Sequence, residues 1–161
     1  MSNPTTIDRK SDTELVITRT FDAPARLVFE AWSKPELLQR WWTPKSFGIT
    51  FVSCEADVRT GGTYRFVFSH PAAEQPMAFF GRYLEVTPNS RIVWTNEEGA
   101  DGPVSTVTFE AQGDTTLLVL CERYPSKQAL DEAIASGSTG TAAAGEQFEL
   151  LDELLVTLVT R

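Results

Sequence analysis

The residues able to do chemistry are few, and their spacing limits what they could do. A single histidine, His70, ends a strand-like run before Pro71. It reads as a surface loop residue rather than the base of a Ser-His-Asp or Cys-His set, and one histidine excludes a multi-histidine metal site. Cys54 and Cys121 lie inside apolar strand-like runs without CxxC spacing, so they read as buried free thiols. Gly61-Gly62 lacks the Lys-Ser/Thr of a phosphate loop and joins two strands, which makes it a hairpin turn. Asp57 and Arg59 beside it read as a turn-stabilising group and a solvated charge. No metal and no cofactor is expected.

Acid-base chemistry would have to come from charged residues inside strands. Glu85 and Glu122 stand between apolar neighbours, where alternation turns every second side chain outward, and Arg65, Arg82 and Arg123 share that position. Exposure is the plain reading of all five. A carboxylate that points inward instead is disfavoured as an anion and suited to proton transfer, so Glu85, Glu122 and Arg65 are the candidate polar groups of a cavity.

Aromatic residues carry the binding reading. Trp41 and Trp42 are adjacent on a helical run, about 100° apart, so one of them takes the core and the other its margin or a pocket mouth. Tyr64, Tyr83 and Trp94 lie on strands and bring polar atoms that need partners if buried, and Phe66 shares a face with Tyr64. Packing alone and the lining of a cavity are both compatible with these positions.

The element that must position them is the terminal stretch TAAAGEQFELLDELLVTLVT. Ala144, Phe148, Leu151, Leu155 and Leu158 recur at steps of four and three; with Leu154 and Val159 they form a stripe about 140° wide. Glu146, Glu149, Glu153 and Thr157 fall opposite, and Thr141 is a candidate N-cap. Upstream, Glu14 to Phe21 is a strand, and Asp22 and Pro24 open a short helix. Ser33 and Pro35 open a second one, which Thr43-Pro44 ends. From Ile49 the period is two, through six further strands joined by hairpins. Ser126 to Ala135 is a short helix, and Ser136 to Gly140 is a hinge.

With 161 residues, 42% of them apolar, one domain is expected over 14–161, preceded by a disordered tail over 1–13. The formal charge of -8 argues against a nucleic-acid or anionic-membrane partner, and no apolar run spans a bilayer. A cytoplasmic protein, monomeric or weakly homodimeric, is expected.

This order of elements predicts an α+β helix-grip fold. A curved seven-stranded antiparallel sheet surrounds the long C-terminal helix, with two short helices after the first strand. The runs RTFDAPARLVFEAWSKPELLQRWWTP, ADVRTGGTYRFVF, GRYLEVTPNSRIVWT and ASGSTGTAAAGEQFELLDELL resemble successive motifs of the SRPBCC or START-like superfamily. The branch is the one named after the activator of the heat-shock-chaperone ATPase, similar to polyketide cyclases. The resemblance implies the same fold and a range of roles, among them lipid carriers, cyclases and hormone receptors. The expected function is a non-enzymatic carrier or sensor for a small apolar or aromatic ligand. The candidate lining is Trp41, Trp42, Tyr64, Phe66, Tyr83, Trp94, Phe148, Leu151 and Leu155. A cofactor-independent cyclase or dehydratase and a co-chaperone-like interaction domain are the alternatives.

Overall fold

The computed structural model describes residues 4–43, 46, 48–97, 102–136 and 141–160, with the side chains of 141–143 excluded. Pro44, residues 137–140 of the expected hinge and the Thr141 side chain lie outside the described residues. The chain opens with β1 (Thr6–Arg9), β2 (Glu14–Phe21), α1 (Ala25–Ser33) and α2 (Pro35–Trp41). Six strands follow: β3 (Thr50–Ala56), β4 (Thr63–Ser69), β5 (Met77–Thr87), β6 (Arg91–Thr95), β7 (Val104–Gln112) and β8 (Thr115–Arg123). The chain closes with α3 (Lys127–Ser136) and α4 (Thr141–Thr160). All strands pair antiparallel in one sheet of order β1-β2-β8-β7-β6-β5-β4-β3, so a single crossover between β2 and β3 accommodates α1 and α2.

Alternation at period two gives the sheet an inner face. In β2 the buried side chains are Leu15, Ile17, Arg19 and Phe21; in β8 they are Thr116, Leu118, Leu120 and Glu122. The hairpin between β3 and β4 turns on Gly61, at φ 87°, and on Gly62, where a Cβ would come within 2.0 Å of the Asp57 carbonyl. That is a tight turn and no phosphate cradle, as the sequence implies.

Three expectations need correction. Part of the supposed N-terminal tail is a strand: β1 lies along β2 with Ile7 opposite Ile17, and Arg9 pairs with Asp131 of α3 at 2.8 Å. The sheet therefore has eight strands, not seven. The run TIDR has one apolar residue and all four residues exposed, so it carries no periodic signal and depends on the ladder of β2. Asp22 and Ser33 are not caps. The N-cap positions of α1 and α2 are Pro24 and Lys34, neither giving a side-chain cap; Ser33 closes α1 and donates to the Glu30 carbonyl, while Pro35 starts α2 as expected. Val159 is exposed rather than part of the stripe.

The remainder of the stripe is buried. Ala144, Phe148, Leu151, Leu154, Leu155 and Leu158 join one core cluster with Ile17, Phe21, Val28, Leu38 and Trp41, and α4 packs on α1, α2 and β2. An inward arginine fixes its height above the sheet. Arg19, 2% exposed, lies 5.4 Å over the Phe21 ring. Its Nη1 donates to Thr5 at 2.9 Å, and its Nη2 donates to Glu149 at 3.1 Å and to Asp152. Burial raises the Asp152 carboxyl above the usual carboxylate range, and the Arg19 charge opposes that shift. No helix among the described residues is long and apolar enough to cross a membrane.

This packing sets two expected stability outcomes. Leu151→Ala and Leu155→Ala should each cost ~2 to 5 kcal/mol in urea denaturation, because both side chains are almost wholly buried, whereas exposed Glu153→Ala should leave the midpoint in place. Asp152→Ala, which strips a partner from a buried guanidinium, costs roughly 2 to 3 kcal/mol at neutral pH. Arg19→Met costs less, since it removes the charge that needs pairing.

Candidate functional site

The interior is walled by tryptophans. Trp41 is fully buried at the end of α2, and its indole N–H donates to the Ala31 carbonyl at 3.0 Å. Trp42 is half-buried, with its ring 5.3 Å from Trp41 and 5.5 Å from Phe66, and its carbonyl accepts a 2.5 Å bond from Gln147 of α4. One member of the pair thus takes the core and the other the margin. Trp32 stands at the centre of the group. Its ring lies 4.8 Å from Trp41, 6.0 Å from Trp42, 5.8 Å from Trp94 and 6.1 Å from Phe109. It is 4% exposed, and its indole Nε1 is buried without a hydrogen-bond partner among the described residues, which costs roughly 1 to 3 kcal/mol. The sequence reading passed over Trp32, although its four-residue step from Val28 was the available signal.

The sheet supplies the facing wall. A cross-strand row runs Leu15, Glu122, Ser105, Trp94 and Tyr83 over β2, β8, β7, β6 and β5. Tyr64 and Phe66 extend it on β4, and the Tyr64 hydroxyl donates to the Thr95 carbonyl at 2.6 Å. Burial raises the Tyr83 phenol above its ordinary range, so the group stays protonated. In the middle of the row Ser105 accepts a bond from the Asn96 amide at 3.2 Å, and the same amide donates to the Pro103 carbonyl at 2.7 Å. Phe148, Leu151 and Leu155 of α4 lie over this interior in the same core cluster.

Of the three expected polar cavity groups, Glu122 points inward and is buried. Glu85 does not belong to the interior: it is half-exposed, and it faces Arg91 at 3.5 Å and accepts a bond from Thr87. A bulge between Tyr83 and Glu85 shifts the register, so a count by twos from Tyr83 misleads there. Arg65 is also outside. It lines an open depression of about 270 Å³ on the outer end of β3 and β4, together with Glu55, Ala56, Asp57, Thr63 and Tyr64. Arg82 and Arg123 are exposed and paired with Glu97 and Glu14.

One end of the inner face is open. Phe79 is opposite Phe66, and Met77 opposite Phe68, so all four share the inner side of the sheet. Phe66 and Phe68 are buried, but Phe79 is 40% and Met77 37% exposed. Ring contacts run inward without a break, from Phe79 to Phe68 at 5.4 Å, Phe68 to Phe51 at 4.6 Å and Phe51 to Phe66 at 5.8 Å. From Phe66 they continue through Trp42 to Trp32. The sequence reading missed this path because it depends on which strand end the helices leave uncovered.

An open antiparallel sheet gripping a long terminal helix over an aromatic interior places the chain in the helix-grip class. Residues 22–155 match the family described as "Activator of Hsp90 ATPase homolog 1-like protein", and the chain belongs to that family. A solved protein from Rhodobacter sphaeroides is similar at 24% identity with a TM-score of 0.84, over 96% of this chain and 99% of that one. A protein from Nitrosomonas europaea is similar at 23% identity and a TM-score of 0.79, over 93% and 98%. One from Mycobacterium smegmatis is also 23% identical with a TM-score of 0.79, over 96% and 99%. At these identities the likeness establishes the fold. No curated protein matches the chain.

The thiols are free but only half-buried, a correction to full burial. Burial pushes Cys54 up to about 11, with the Glu36 charge adding to it, and burial with a bond to Glu14 also raises Cys121. Since the thiolate is the nucleophile, Cys54 should react with an aromatic disulfide at pH 8 more than about tenfold slower than free cysteine. Its rate should keep rising with pH towards 11, and urea should abolish the difference. A native rate equal to that of free cysteine would contradict the placement.

Proposed function

We propose that this protein is a carrier or sensor for a small apolar or aromatic ligand, held between the inner face of the sheet and helices α1, α2 and α4. The observation that carries the reading is the exposure of inward-facing Phe79 and Met77 at the end of a continuous aromatic path. Side chains on the concave side of a sheet are ordinarily covered, and an uncovered apolar end leading into an aromatic interior is the form of a ligand entrance. The net charge of -8 favours a neutral ligand over an anion.

Titration with N-phenyl-1-naphthylamine, a neutral aromatic dye, tests the reading. Emission should rise saturably with one site and a dissociation constant in the micromolar range, or roughly -8 kcal/mol. Phe79→Asp should weaken binding about tenfold with little change in the urea midpoint, because Phe79 is already 40% exposed. Unsaturable binding, or equal binding by Phe79→Asp, would rule out this entrance.

A second reading has its own observation. Glu122 is an inward, buried carboxylate directly opposite Ser105, the arrangement from which a cofactor-independent cyclase or dehydratase would draw its proton-transfer group. Loss of ligand turnover in Glu122→Gln, with binding retained, would favour it over a carrier.

A further inference from the structure

We propose that the ligand is a neutral, planar aromatic compound bearing a hydrogen-bond acceptor such as a ketone or quinone carbonyl, and that Trp32 selects it by donating its indole N–H. The inference rests on the binding reading above and adds the polarity of the ligand.

Two indoles in the same cluster differ in one respect. Trp41 donates to the Ala31 carbonyl at 3.0 Å, whereas the Trp32 Nε1 is equally dry and has no acceptor among the described residues. A buried donor is ordinarily matched, so an unmatched one beside a ligand path marks where the ligand supplies the acceptor. Trp32 also lies at the inner end of the ring contacts that begin at Phe79, with Trp42 as the last ring before it. Its neighbours are tilted or edge-on aromatic rings, walls that suit a flat body.

The pairing of charges disfavours a carboxylate ligand. Among the described residues Arg19 is the buried cation of the inner face, and its two terminal nitrogens already bind Thr5, Glu149 and Asp152, which leaves only its Nε without a partner. What remains is a neutral acceptor.

The test compares 2-acetylnaphthalene with 2-ethylnaphthalene, which share size and shape and differ in the carbonyl. Titrations are followed in proton–nitrogen spectra of labelled protein, where the Trp32 indole signal is assigned from its loss in Trp32→Phe. The ketone should shift the Trp32 indole proton downfield and the ethyl compound should not. The ratio of the two affinities should fall about tenfold in Trp32→Phe, whatever the smaller ring does to both affinities alike. If both compounds bind with the same ratio in both proteins and the indole signal moves alike, the binding reading stands and the role of Trp32 is overturned. If neither binds, the binding reading fails and this proposal fails with it. Should Trp32→Phe not fold, the Trp32 indole signal is assigned by sequential backbone connectivity and through-space contacts between its backbone and ring protons, and the downfield shift in the unaltered protein decides.

Discussion

The structure depends on the burial of one face of α4. Phe148, Leu151, Leu155 and Leu158 have no other way to leave water than to lie on the sheet and on α1 and α2, and burying side chains of this size supplies about 1.5–3 kcal/mol apiece. The buried Arg19 then matters more as a positioning device than as a source of stability. A guanidinium taken from water must be met by carboxylates, and Glu149 and Asp152 can meet it in only one register of the helix.

Because α4 packs on β2 and on α1 and α2, the β4–β5 end of the inner face is left to aromatic side chains. The rings of Phe51, Phe66 and Phe68 cover one another there, and Phe79 and Met77 stay partly wet. The same asymmetry creates the candidate site: a helix lying evenly over all eight strands would cover Phe79 and Met77. The tryptophans of α1 and α2 line the interior between sheet and helices, and they bring polar atoms into it. Trp41 finds a backbone acceptor and Trp32 does not.

The polar groups of the interior follow the register of the sheet. Glu122 and Ser105 are inward because they are two-residue steps from Leu120 and Val107. Glu85 escapes the interior through the bulge that follows Tyr83, which places it opposite Val93 on the outer face rather than beside Trp94. A single extra residue thus decides which of two similar glutamates faces the interior.

The sequence alone determined the elements whose signals are local. The α4 stripe, the division of labour between Trp41 and Trp42, the Gly61-Gly62 turn and the strands from β2 onward were legible because periodicity and turn chemistry act over a few residues. The order of four motifs also pointed to the family. Tertiary structure decided what depends on distant neighbours: that Thr6–Arg9 finds a ladder on β2, that Glu122 is inside while Glu85 and Arg65 are outside, that Arg19 is buried beneath α4, and that Trp32 lacks an acceptor. Period two assigns residues to two faces but does not say which face a helix will cover, and hydrogen-bond satisfaction is a property of the assembled interior rather than of any residue in it.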